Sequence, residues 1–227
     1  MGGGNTAPAV RVGETVRRVA GPWTPNVHRL MSALRAAGVA FVPEPRGLDA
    51  EGREVVEYVA GDCPVYPLPE WAWGDAALAQ VARALRVLHD ATAGLDLPRD
   101  GWRVSAVDPV EVVCHGDVAP YNSVWRDGTL VALIDWDHAV PAPRGWDLGH
   151  AAYRFVSLTA PSNADGRAAS DDEKRRRLAL FCEAYGGASP DDVLHWARVR
   201  VADLIARDGP HRAIYERDAE WLAAFRT

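Results

Sequence analysis

The chain has 227 residues, 48% of them apolar, a formal net charge of −6 and a pI near 5.6. That length accommodates one sizeable core, or a main domain with a small lobe, and an acidic balance without a long basic stripe argues against nucleic acid as a partner. No apolar run nears the ~18 residues of a membrane span, and three scattered cysteines, Cys63, Cys114 and Cys182, suit neither a zinc pair nor a disulfide framework, which points to a reducing, cytoplasmic setting.

The first ten residues, MGGGNTAPAV, lack the charged and apolar regions of a secretory signal. Gly2 and Thr6 fit the loose pattern for myristoylation, which a segment of small residues meets easily. Two short strands are expected at Ala9–Val12 and Thr15–Val19, joined by a tight turn at Gly13-Glu14. A helix follows, with Thr24 as cap, Pro25 in its first turn and Gly38 as its stop; Val27, Leu30, Met31 and Leu34 share one face. REVVEYVAG (53–61) reads as a strand running into a glycine-containing joint, and the Pro- and Trp-rich stretch 63–73 as a connector.

The spacing of Leu78, Val81, Leu85 and Leu88 predicts a helix over 76–92. VEVVCHGD (110–117) is a strand opening into a loop, and SVWRDGTLVALIDWD (123–137) is a hairpin turned at Asp127-Gly128. GWDLGHAAYRFVSL (145–158) reads as a helix, and 160–170 as a mobile loop by composition. Ser170 and Glu173 have capping-box spacing before a helix over 171–185. Further helices open at Ser189-Pro190 and cover 210–225.

Chemistry concentrates in CHGDVAPYN (114–122) and LIDWDHAVP (133–141). Asp117 and Asn122 stand five apart on a loop leaving an apolar strand, and the hairpin folds Asp135 back toward Asn122. One carboxylate and one amide oxygen then suit a hard cation such as Mg2+, which keeps its other positions for water and phosphate. Asp117, left free of the metal, can accept a proton from an attacking hydroxyl. The five-residue offset is that of the protein-kinase catalytic loop, with Gly116 where a protein kinase has Arg.

Together with WDLGHA (146–151), these motifs closely resemble the aminoglycoside phosphotransferase and choline-kinase-like family, strongly over about 110–157 and weakly elsewhere. The resemblance implies an α+β, protein-kinase-like two-lobe fold. Its truncated, β-rich N-lobe would cover 1–60, with a hinge near 57–60. The mainly helical C-lobe, 61–227, would carry a catalytic loop at 115–122 and a metal-binding hairpin at 123–137. It also implies Asp117 as the catalytic Asp, Asn122 and Asp135 as Mg2+ ligands, and His115 and Asp147 as structural support. Glu57 and Val59 would belong to the hinge that receives the base. Arg17 would contact the nucleotide phosphates, with Arg18 the competing choice, because strand alternation sends only one of them to the cleft. ATP or GTP would be the donor, and a small-molecule hydroxyl, on an aminoglycoside or another amino-alcohol, the acceptor.

Two departures stand out. Only about fifteen residues precede Arg17, so the glycine-bearing phosphate lid of the family is expected to be short or missing, and Gly2-Gly3-Gly4 has no strand before it. The first helix reads PNVHRLMSAL, with Val27 or His28 where the family has a Glu to pair with the strand cation. These losses favour a non-catalytic binder, such as an immunity protein that sequesters an antibiotic or peptide toxin; the intact Asp117–Asn122–Asp135 set favours catalysis. A third option is a hydrolase passing the phosphoryl group to water. The reduced N-lobe leaves apolar strand surface that a second subunit, in a homodimer, can cover.

Taken singly, several of these residues have plainer readings. Asp117 and Asn122 suit a self-capping loop, His115 a structural hydrogen bond, Asp147 a helix cap, and Asp137 either a ligand of a second metal or a solvated or helper carboxylate. Lys174-Arg175-Arg176-Arg177 reads as a solvated helix face. Glu183, Asp203, Asp208, Glu216 and Asp218 read mostly as surface acids, able to attract an amine-bearing acceptor. The nine Trp residues are mainly core material.

Overall fold

The structure, a computed structural model, describes residues 9–207 and 209–227. The Gly2–Thr6 pattern, the Gly2-Gly3-Gly4 run and Asp208 lie outside them. No described helix is long and apolar enough to cross a membrane.

The N-terminal sheet has four strands in the order β1-β2-β4-β3, all neighbours antiparallel. β1 (Val10–Val12) and β2 (Thr15–Val19) form the expected hairpin, with Gly13 at φ 60 in its turn. β3 (Pro45–Leu48) is a strand that PRGL gives no reason to expect; it pairs with β4 (Arg53–Glu57) across a register shift. Between β2 and β3 runs α1 (Thr24–Ala36), with Pro25 in its first turn and Val27, Leu30, Met31 and Leu34 all buried, as their spacing predicts.

The chain divides into two compact units. The first takes residues up to Cys63, Val87–Asp117 and Tyr121–Pro143, so the sheet shares a unit with the loop and hairpin that carry the motifs. There β5 (Val112–Cys114) pairs with β8 (Val140–Ala142), and β6 (Ser123–Arg126) with β7 (Thr129–Leu133). Asp127 at φ 50 and Gly128 at φ 74 make the two-residue turn with both φ values positive that the Asp-Gly pair favours. The carbonyl of Phe41, beyond α1, accepts from Leu133 N at 2.9 Å and ties the hairpin's end to the N-terminal segment.

The second unit, Pro64–Arg86, Val118–Pro120 and Arg144–Thr227, is helical. α2 (Asp75–Thr92) belongs partly to each unit. α3 (Arg144–Ala151) does not run on as one regular helix; Ala152–Ser157 form a π-helical turn ending at Ser157, φ 69. α4 (Asp171–Tyr185) is capped as expected, Ser170 Oγ accepting from Glu173 N at 3.2 Å, and stops at Gly186 in the left-handed region. α5 (Pro190–Arg207) and α6 (Arg212–Ala224) complete it.

Two surface expectations are overturned in this unit. Of the basic run, Lys174 and Arg177 are each only 1% exposed. Lys174 Nζ donates to Thr159 O and lies 4.0 Å from the Trp221 ring centroid, and burial pulls its ammonium below the usual lysine range. Arg177 donates to Trp73 O and Phe155 O, both at 2.7 Å. A three-residue step puts both side chains on one helix face, turned inward, while Arg175 and Arg176 stay outside. Asp218 is fully buried; it accepts from Tyr153 Oη, Ala160 N and Asn163 Nδ2, which anchors the start of the 160–170 loop.

Candidate active site

β5 delivers His115, Gly116 and Asp117 in sequence. Gly116 has φ 83, and a Cβ there would lie 2.0 Å from His138 O, so the loop needs glycine for both conformation and space. His115 is buried, its ring tilted 55° to that of Trp136 with centroids 4.6 Å apart. Its Nε2 lies 3.0 Å from Ile134 O, and Asp117 N donates to its Nδ1 at 3.3 Å. A carbonyl can only accept and a backbone N–H can only donate, so these two contacts put a proton on Nε2 and make Nδ1 the acceptor. His115 thus joins the backbone before Asp135 to the backbone of Asp117.

Asn122, 5% exposed, donates from Nδ2 to Asp117 O at 2.9 Å and Asp117 Oδ2 at 2.8 Å. Both partners are acceptors, so the amide nitrogen must face Asp117 and Oδ1 must point away from it. Ile134 N donates to Asn122 O at 2.9 Å. Asp117 and Asn122 therefore meet through their side chains, and Asp135 is joined to Asn122 through the adjoining backbone. Asp135 has φ 62, an uncommon conformation for a non-glycine residue, and its side chain is 40% exposed.

Of the two candidate arginines, Arg18 rather than Arg17 reaches Asp135. Arg17 Nη1 points to Asp49 Oδ2 at 3.4 Å. Arg18 carries its guanidinium to the site: Nε donates to Glu54 Oε2, Nη1 lies 2.6 Å from Asp135 Oδ1, and Nη2 lies 2.8 Å from Asp137 Oδ1. Strand pairing explains the choice, since Arg18 stands opposite Glu54 on β4 while Arg17 stands opposite Val55.

Glu54 is 0% exposed, and its other oxygen, Oε1, lies 2.9 Å from His28 Nε2 on α1. Burial would raise the Glu54 carboxyl, but the His28 contact and the Arg18 charge hold it below the usual range; Arg18 is raised above its own, its three carboxylates outweighing burial. Asp137 is raised, chiefly by burial. Arg103, 4.8 Å over the Trp23 ring, reaches Asp137 Oδ2 at 3.4 Å. The strand cation therefore has an acid partner, although the helix supplies none. Glu54 was missed in the sequence because strand register is invisible there; its signal was an acid set among the valines of a short strand.

At the expected hinge, Glu57 N donates to Glu44 O at 2.8 Å and Tyr58 N to Glu14 O at 3.0 Å. The Glu57 carboxylate receives Glu44 N at 2.9 Å, and Arg11 lies 3.7 Å over the Tyr58 ring. Val59 is half-buried just beyond these bonds. In the second unit, Asp147 is fully buried in the first turn of α3, where a carboxylate suits the positive helix end.

Residues 64–181 match the model of the phosphotransferase enzyme family, APH. The trifolitoxin immunity protein of Rhizobium leguminosarum bv. trifolii is 36% identical over 240 aligned positions, covering 100% of this chain and 90% of that protein. A choline/ethanolamine kinase family protein from Mesorhizobium loti has the same fold, with TM-score 0.62 and 19% identity over 98% of this chain and 86% of that one. Amicoumacin kinase hAmiN, solved in complex with AMP-PNP, Ca2+ and Ami, gives TM-score 0.62 and 11% identity over 96% of this chain and 86% of that one. The family match spans more than half of the 227 residues and includes Asp117, Asn122 and Asp135, and with the sheet-then-helices architecture it makes the chain a kinase-like member of the phosphotransferase enzyme family.

Proposed function

We propose that the protein is a Mg2+-dependent phosphotransferase that moves the γ-phosphoryl group of ATP or GTP to a hydroxyl of a small molecule, an aminoglycoside or another amino-alcohol. The carrying observation is the bonded set in which Asn122 holds Asp117 at 2.8 Å while His115 and Ile134 link both to Asp135. On this reading Asp117 Oδ1 or Oδ2 takes the proton of the acceptor hydroxyl as its oxygen bonds to the γ-phosphorus; the bond from that phosphorus to the β–γ bridging oxygen breaks, and the nucleoside diphosphate leaves with the electron pair.

Asn122 Oδ1 and Asp135 are the residues that would hold Mg2+. They fit it as hard oxygen donors, one turned away from Asp117 and the other on a side chain open to solvent. Bound there, the ion would neutralise charge on the phosphates. On this reading Arg18, rather than Arg17, contacts the phosphates, supported by its guanidinium lying at Asp135 while Arg17 turns to Asp49. Residues 57–60 act as the hinge, with Val59 as the backbone position for the base and Glu57 bracing it. His115 and Asp147 support the loop and the helix after it. Positioning and charge carry most of such a reaction, so this small set suffices. The cytoplasm, where nucleotide is abundant, is the natural site of action.

The relation to an immunity protein favours a second reading, in which the chain binds an antibiotic or peptide toxin without turnover. The experiment is a thermal-shift panel of ATP and GTP with and without Mg2+, followed by assay of nucleoside diphosphate release with aminoglycosides and amino-alcohols. A metal-dependent shift and acceptor-dependent release support the phosphotransferase; no shift with any nucleotide supports the binder.

A further inference from the structure

We propose that Glu54 is the positioning residue for Arg18 and that His28 holds Glu54 in place, so that the acid missing from α1 is supplied by strand β4. A carboxylate with no solvent exposure is costly unless its oxygens are met by donors. Glu54 meets this condition through two partners among the described residues, Arg18 Nε on Oε2 and His28 Nε2 on Oε1 at 2.9 Å.

The geometry says what this burial achieves. A guanidinium is planar, with five N–H donors in a rigid fork. Holding Nε fixes the plane and, with it, the direction of the two remaining nitrogens. In this structure those nitrogens reach Asp135 at 2.6 Å and Asp137 at 2.8 Å. Without Glu54, the long Arg18 side chain loses the contact that selects this rotamer. α1 contributes through packing: Val27, Leu30, Met31 and Leu34 bury one face of the helix, and this sets His28 against Glu54. The role of the helix is thus retained, but it acts through a second residue rather than by touching the arginine.

This inference rests on the phosphotransferase reading in one respect, that nucleotide binds where Arg18 can reach its phosphates. The test is calorimetric binding of Mg·AMP-PNP to the full chain, to Arg18→Met, to Glu54→Gln and to the double variant. Each single change is expected to weaken binding by about tenfold, and Glu54→Gln to add less than about twofold once Arg18 is gone, because a positioning residue has nothing left to position. Equal weakening by Glu54→Gln in both backgrounds overturns the proposal, as does unchanged affinity in Glu54→Gln beside a loss in Arg18→Met. Should Glu54→Gln not fold, as judged by circular dichroism, His28→Ala takes its place in the cycle, with about threefold weakening expected only when Arg18 is present and equal weakening in both backgrounds again overturning it. Absence of nucleotide binding by the unaltered chain overturns this inference and the phosphotransferase reading together, whereas failure confined to the Glu54 and His28 variants removes this inference alone.

Discussion

Arg18 Nη1 lies 2.6 Å from Asp135 Oδ1, so the carboxylate assigned to a metal already faces a positive charge from the chain itself. The same guanidinium serves Glu54 and Asp137. Three acids around one arginine leave a net negative site, which tolerates a further cation but makes it compete for Asp135.

Arg18→Met therefore separates two affinities. Binding of Mn2+ alone, followed by electron paramagnetic resonance, should tighten several-fold as the competing charge is removed. Binding of the metal–nucleotide pair should weaken. Parallel loss of both would argue against direct competition at Asp135.

Asp117→Asn should lower phosphoryl transfer by about 100- to 10,000-fold, the range a positioned base contributes, with Mg·AMP-PNP affinity changed by less than about threefold. The readouts are single-turnover transfer and calorimetry. Retention of full transfer would remove Asp117 from the mechanism.

Stability should depend on pH through Glu54. Its carboxyl lies below the ordinary value of 4.5 in the folded chain. The stabilisation from its ionised form is thus present above about pH 4.5 and lost as pH falls through the lower folded value. Glu54→Gln should melt below the wild type at pH 7, and the difference should shrink progressively on acidification below 4.5.

Gly116→Ala meets two penalties, φ 83 and a Cβ 2.0 Å from His138 O. A loss of about 2 kcal/mol or more is expected, seen as a fall in melting temperature, together with loss of transfer because Asp117 follows directly.

The basic run of α4 offers an internal comparison. Arg175→Ala, on the exposed side, should alter stability by no more than about 0.5 kcal/mol. Arg177→Ala strips donors from Trp73 O and Phe155 O in the interior and should cost about 3 kcal/mol or more. Lys174→Met keeps the length of the side chain and should fall between them.

Much of the site was legible because its determinants are local. Apolar periodicity fixes α1, the Asp-Gly turn fixes the β6–β7 hairpin, and the hairpin in turn fixes where Asp135 comes relative to Asn122. Glycine between His115 and Asp117 has a steric cause visible only with His138 in place. What escaped the sequence depends on pairing between distant strands. Whether Arg17 or Arg18 reaches the cleft follows from the register of β2 on β4, and Glu54 becomes its partner through the same register. β3 lacks β-forming residues and is recruited by β4. The inward turn of Lys174 and Arg177 could not be read from charge alone, because their partners are backbone carbonyls and an aromatic ring supplied by remote segments.

The backbone bonds around residue 59 limit how the sheet can rock against the hairpin. Tyr58 N is held by Glu14 O, Ala60 O receives Arg126 Nη2 at 2.7 Å, and Asp62 exchanges two bonds with Trp125. Val59 and Gly61 are the residues left between these fastenings, so the sheet joins the hairpin through a link with few free torsions. A proline at 59 would fix φ there and stiffen this link further.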